Sequence, residues 1–396
     1  MDLNKTALNS PYPGRAAFRV LLGGMLGLAV VMGIGRFAFT PILPLMQRDL
    51  GMSHAVAGGL AGLNYLGYLA GAIVCTVAPR LLLVRILAPA TLLLSLGTTF
   101  LMGMTQAELG WELSRFWGGV ASAILFVLIS AEVGERLTRL GYGHWFGALY
   151  GGVGTGIALS GLLVPQLDRV WGWDGAWIGM GVVAVILACV GALLGHKSSH
   201  VPTLSPATAA AASASPSLRG VWLLGVAYFF EGLGYIVSAT FMVAIVAQIP
   251  RLAGIAAYSW VAVGLAAIPS TMFWPWLAHR VGYKKALVLA YVLQAAGILV
   301  SSGADSLGTV LFAAVTFGGT FMGIVALTLT EGKRRLEHAA GRAAAFLTAC
   351  FGVGQVVGPV VAGTLADMYA GFTLPLLFAG GSVVLGAVLI MADRRF

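Results

Sequence analysis

Runs of roughly eighteen or more apolar residues recur along nearly the whole of this 396-residue chain, each long enough for a helix to cross a hydrocarbon layer about 30 Å thick. Charged residues make up only 9% and mean hydropathy is +0.92, whereas a soluble domain carries about 25% charged residues. The chain is therefore an integral membrane protein. Strand-period alternation is absent, which argues against a transmembrane β-barrel. The net charge of +9 is spread over short connections rather than gathered in a patch, so nucleic acid is not an expected partner. Cys75, Cys189 and Cys350 all fall in apolar segments and read as buried free thiols, not as a disulfide framework or a metal site. The first apolar run is followed by further spans and has no convincing cleavage site, so it reads as a retained helix rather than a signal peptide.

Spans fall near 18–40, 54–78, 81–104, 109–131, 145–166 and 174–195, and again near 219–246, 253–277, 284–303, 307–330, 343–366 and 372–391. Between the two sets, residues 196–217 turn to Ser, Ala, Pro, His and Lys, the composition of a linker. The expected organisation is a six-helix bundle over 1–195, a cytoplasmic linker over 196–217 and a second six-helix bundle over 218–396. Lys and Arg in the connections fall mostly on the N-terminal side, with only Arg48, Arg169 and Arg251 opposite and Arg36 and Arg115 in or close to the membrane. That bias puts both termini in the cytoplasm.

The two sets repeat one another. Gly33-Ile34-Gly35 matches Gly232-Leu233-Gly234 at an offset of 199, and Glu132-x-x-x-Arg136 matches Glu331-x-x-x-Arg335 at the same offset. Gly152-Val153-Gly154 matches Gly352-Val353-Gly354 at 200, as Ala78-x-Arg80 matches Ala278-x-Arg280. Short matches in order at nearly one offset indicate two parallel halves.

Two six-helix repeats with a central cytoplasmic loop resemble the major facilitator superfamily. Leu277-Ala278-His279-Arg280-Val281-Gly282-Tyr283-Lys284-Lys285 is similar to the superfamily's loop motif, with His279 at the usual Asp position, and Arg115-Phe116-Trp117-Gly118-Gly119 resembles its span-four motif. Gly33-x-Gly35-Arg36-Phe37-Ala38-x-Thr40-Pro41-x-Leu43-Pro44 and Asn64-Tyr65-Leu66-Gly67-Tyr68 are similar to the YbfB/YjiJ-like branch. The resemblance implies an all-α membrane fold of twelve helices in two pseudo-symmetric bundles, with spans one and seven facing each other across a cavity, and a monomer. The antiporter motif's Gly-Pro is missing from span five and appears on span eleven at Gly358-Pro359, leaving import and export both open.

Arg36 lies about 25 Å along a helix from Arg19 and shares a face with Thr40. It reads either as a cavity cation offering an anion bidentate geometry or as an arginine bonded to carbonyls freed by Pro41 and Pro44. Glu231, about 18 Å beyond Arg219, sits at mid-membrane with Tyr235 and Ser238 on its face. It is the candidate proton carrier, and an ion pair with Arg36 in one state is a further expectation. Asn64 and Tyr68 form a second polar stripe, and Gln355 reads as a substrate contact or an interhelical bond. Arg115 reads as part of the coupling machinery or as a surface ion pair with Glu108 and Glu112. Glu132, Arg136, Arg280, Glu331 and Arg335 are candidate gate residues at the cytoplasmic ends of the helices.

Gly152-x-Gly154-x-Gly156 follows a helical run, so close helix packing explains it rather than a dinucleotide site. His196 and His200 have no third ligand nearby, so no metal or other cofactor is expected. With no Ser/His/Asp constellation, an enzyme is not expected either. The function expected is secondary transport of a small organic solute, anionic or aromatic, across the bacterial inner membrane by alternating access with proton coupling. A multidrug/proton antiporter and a non-transporting sensor are the alternatives.

Overall fold

The computed structural model describes residues 13–195 and 218–396, so the linker assigned to 196–217 and the His196/His200 pair lie outside the described residues. The described helices are α1 (Pro13–Leu28), α2 (Phe39–Leu50), α3 (His54–Val77), α4 (Leu87–Met104), α5 (Glu108–Arg139), α6 (Gly151–Gly195), α7 (Trp222–Ala247), α8 (Ala256–Val281), α9 (Tyr283–Ser301), α10 (Leu307–Arg335), α11 (Ala340–Met368) and α12 (Thr373–Ala392). No strand occurs among the described residues. Among the described residues, eleven helical segments are long and apolar enough to cross a membrane.

One of the eleven crosses twice. The segment Gly143–Gly195 has 53 residues, and Gly172 within it is non-helical, with φ 75° and ψ −173°. A Cβ on Gly179 would stand 2.6 Å from Leu167 Cδ2, although those residues would be about 18 Å apart on a straight helix. The chain therefore doubles back at Gly172, a conformation that L side chains rarely adopt. Large apolar side chains such as Leu93, Met104, Leu193 and Leu265 point outward, as a lipid-facing surface requires.

The first crossing differs from its expected bounds. It runs to Leu50 instead of ending near 40, because Gln47, Arg48 and Asp49 form a polar last turn rather than a loop. Arg48 pairs there with Asp49 at 2.5 Å and with Asp168 at 3.0 Å. The expectation of three buried thiols also needs correcting. Cys75 is buried and Cys350 half-buried, but Cys189 is exposed, on an outward face of α6 with Ile186, Val190 and Leu193.

The two halves meet most closely at the face opposite the one carrying Pro13 and Phe396. There the backbone N–H groups of His54 and Ala55, at the start of α3, donate to the Asp367 carboxylate on α11 at 3.0 and 2.8 Å. A carboxylate at a helix N-terminus satisfies amides that have no intrahelical acceptor. The His54 ring packs edge-on to Phe372, with centroids 4.7 Å apart, and the Thr40 hydroxyl donates to Ala239 O at 2.5 Å. Along α7, Glu231 to Val246 are all buried, whereas the first turns of the same helix are only partly so. At the terminal face the ion pairs of Arg136 and Arg335 stay within their own halves. Arg136 bonds Glu132 and Gly195 O, while Arg335 bonds Glu331 and the buried Asp393. The repeated Glu-x-x-x-Arg thus ties the fourth crossing of each half to that half's last helix. The molecule is closed at the far face and joined less tightly at the terminal one.

Gly58 carries that closure, since a Cβ there would stand 2.2 Å from Pro359 O across the two halves. Gly58→Leu is expected to penalise the closed far face rather than the fold of either half. Its readout is alkylation by an impermeant maleimide of a Ser238→Cys reporter in an otherwise cysteine-free protein. Ser238 is 1% exposed, and labelling should accelerate by about tenfold or more when the wedge opens the face, a shift of roughly 1.4 kcal/mol. Unchanged labelling would mean the face does not open.

Candidate substrate-binding site

The site begins with a break in the first crossing. After α1 the chain winds through wider π turns over Ala29–Ile34, with Gly35 N–H donating to Val30 O and Phe37 N–H to Met32 O, five residues back. Gly33 packs against Gly156 so closely that a Cβ would stand 2.4 Å from its Cα. That contact bears out close packing as the reason for the span-five glycines. The turn Gly35–Ala38 then leads into α2, and Thr40 N–H bonds to Phe37 O instead of Arg36 O. The next residue, Pro41, has no N–H to offer. The Arg36 carbonyl is therefore left without a helical donor.

Arg115 fills that vacancy in the hydrogen bonding. Its Nη1 and Nη2 reach Arg36 O at 3.5 Å, its Nε reaches Leu60 O at 3.4 Å, and its guanidinium lies 4.6 Å from the Phe39 ring centroid. Asn64 Nδ2 donates to Arg115 O at 2.8 Å. At 3% exposure Arg115 is no surface residue, so the ion pair with Glu108 and Glu112 is not formed. Hydropathy alone places Arg115 near the membrane edge, but α5 carries its side chain inward. The proline-freed carbonyl foreseen for Arg36 exists, and a different arginine uses it.

Arg36 is free for other work. It is 3% exposed and packs against the rings of Tyr65 and Tyr68, each with its centroid 4.3 Å from the guanidinium carbon. Desolvated cation–π contacts of this kind contribute about 2 kcal/mol. Among the described residues its Nε and Nη2 have no acceptor. Thr40, on the same face, is spent on Ala239 O and joins the two halves.

Across from Arg36 stands an aromatic column. Tyr235 stacks on Phe351 at 5.2 Å and 12° and on Phe321 at 6.2 Å and 9°, while Phe317 and Phe321 stack at 5.4 Å and 10°. Gln355 Nε2 donates to the Tyr235 hydroxyl. Phe37 bridges to this column, with its ring 6.5 Å from Phe321 and 6.3 Å from Trp260. Tyr235 is the repeat equivalent of Arg36, so one half supplies the cation and the other an aromatic surface.

Glu231 lies one turn before Tyr235 but faces α9 and α10. Its Oε1 accepts from Gln294 Nε2 at 2.7 Å, and Gln294 Oε1 accepts from the Thr320 hydroxyl at 2.9 Å. Its Oε2 is buried with no partner among the described residues. Glu231 and Arg36 form no ion pair here, since each is held by its own half. Arg280 packs over Trp276, apart from the Glu331 network. Residues that sequence reasoning passed over include Gln294, Thr320, Trp260, Phe317, Phe321 and Asp367. Gln294 had a signal, as a lone amide in an apolar span, but single aromatics among many on lipid-facing helices gave none.

Comparison with known proteins agrees with this architecture. A family model described as "Uncharacterised MFS-type transporter YbfB" matches residues 28–391. The chain is 27% identical over 343 residues to the cyanate transport protein CynX of Escherichia coli strain K12, covering 84% of each. Crystal structures of the nucleoside transporter NupG, wild-type and a single-substitution mutant, superpose with a TM-score of 0.73 at 15% identity, over 95% of this chain and 98–99% of theirs. At that identity the likeness concerns the fold.

Proposed function

Because the chain belongs to the YbfB-like family of major facilitator transporters, we propose that it moves a small organic anion across the plasma membrane by proton-coupled alternating access. One observation carries the charge of the substrate: a buried guanidinium whose Nε and Nη2 have no acceptor among the described residues. A desolvated cation with unspent donors is costly, and an incoming anion offsets that cost. The cyanate carried by a relative is also an anion, which supports the sign.

The two halves, divided at residues 196–217, rock about the layer containing Arg36 and Tyr235. With both termini cytoplasmic, as the basic residues of the connections favour, the closed far face is the outer one. The state described then faces inward. Outward opening breaks the bonds from His54 and Ala55 to Asp367 and from Thr40 to Ala239, and closure at the cytoplasmic face replaces them. Glu231, with one oxygen bonded to Gln294 and the other free, takes up and releases the coupled proton.

Purified protein in liposomes loaded with a pH-sensitive dye tests this reading. Adding a transported anion outside should acidify the lumen only when protein is present, since the proton and the anion enter together. Anion entry with no accompanying proton movement would remove the coupling. Entry of neutral solutes alone, with every anion excluded, would remove the charge assignment.

A further inference from the structure

The geometry of Arg36 and its neighbours narrows the substrate to one chemical class. The rings of Tyr65 and Tyr68 each lie against the guanidinium, with centroids 4.3 Å from its carbon, so its open hydrogen-bonding edge is the approach for a partner. Nε and Nη2 lie on one edge, where two N–H bonds point in parallel and match the two oxygens of a carboxylate. Those are the two nitrogens without an acceptor. Arg115, by contrast, spends all three of its nitrogens on the carbonyls of Leu60 and Arg36. The site thus offers one uncommitted cation, which a single carboxylate neutralises while Glu231 carries its proton and a dianion does not.

What lies beyond the fork is flat and aromatic. Phe37, whose ring centroid is 5.5 Å from the Arg36 guanidinium carbon, joins it to Phe321 and Trp260. Phe321, Phe317 and Tyr235 are mutually parallel to within 17°. Trp260, wholly buried, holds an indole N–H that also has no acceptor among the described residues. We propose that the transported anion is a planar aromatic monocarboxylate. Its carboxylate sits on the Nε/Nη2 fork, and its ring joins the Phe321 column. This rests on the anion-transport reading above and goes beyond it, because a linear or spherical anion uses one donor of the fork and none of the column.

Calorimetry on the purified full-length protein tests it with benzoate, cyclohexanecarboxylate, cyanate, phthalate and benzamide as probes. Benzoate should bind about tenfold more tightly than cyclohexanecarboxylate, the upper range of a ring-stacking preference. Cyanate and phthalate should both bind more weakly than benzoate, and benzamide should not bind. In Phe321→Leu the gap between benzoate and cyclohexanecarboxylate should close to within about threefold while both still bind. Phe317→Leu, which removes another ring of the column, should narrow the same gap and serves if Phe321→Leu fails to fold, and an unchanged gap there overturns the proposal as well. Cyanate binding as well as benzoate, or a ring preference that survives Phe321→Leu, overturns the proposal and leaves anion transport standing. Benzamide binding with every anion failing overturns both.

Discussion

Arg36→Ala is expected to lose anion transport entirely, without loss of stability. Two charge-assisted hydrogen bonds to a carboxylate are worth about 1.5–3 kcal/mol each, so their joint removal weakens binding by at least two orders of magnitude. Arg36→Lys keeps the charge but has neither the fork nor the planar group that packs against Tyr65 and Tyr68. It should retain a small residue of transport, visible only at raised anion concentration. Equal uptake by wild-type, Lys and Ala proteins would show that the guanidinium does not touch the substrate. The stability readout separates binding from folding. Arg36 is buried with two unspent N–H groups, so its truncation removes a desolvation cost along with the stacking on the two tyrosines. The melting temperature should stay near that of the wild type, and a collapse would mark Arg36 as a structural brace.

Much of this site is written along the chain, but its assembly is not. The offset of 199 residues pairs Arg36 with Tyr235 before any coordinates exist, because duplicated helices keep their register even where their chemistry diverges. Pro41 foretells a freed carbonyl for the same reason: a missing N–H is a property of one residue. Which side chain reaches that carbonyl is a property of how α5 packs on the first crossing, and no periodicity within α5 reveals that Arg115 points there. The π turns are hidden likewise. Ala29–Ile34 is as apolar as any other helical run, and only the close approach of Gly33 to Gly156 shows where the winding changes. Asp393 looks like part of a charged tail, yet it is buried under Arg335 at 2.6 Å because α12 ends against α10. Hydropathy finds the spans and locates the intramembrane charges. The partners of those charges come from helix packing.

Glu231→Gln is expected to separate proton coupling from substrate exchange. The amide has the shape of the carboxyl group, and its Oε1 can keep the bond from Gln294. Its nitrogen takes the place of Oε2, which has no partner on the protein to lose, so folding should be spared. What the variant cannot do is gain and release a proton. In wild-type liposomes, an inward pH gradient should drive anion accumulation, and uptake should rise as the outer pH falls, because each anion enters with a proton. One monocarboxylate and one proton carry no net charge, so membrane potential alone should drive nothing. In Glu231→Gln, gradient-driven accumulation should drop to the level of protein-free liposomes and the pH dependence of uptake should flatten. Counterflow of labelled against unlabelled anion should persist, since the variant resembles the carrier with its proton always bound. Accumulation that survives the substitution would move the coupling to another group. Loss of counterflow with an unchanged melting temperature would instead make Glu231 part of the binding or rocking step. The Glu231–Gln294–Thr320 chain would then act through the aromatic column one turn away rather than through a proton.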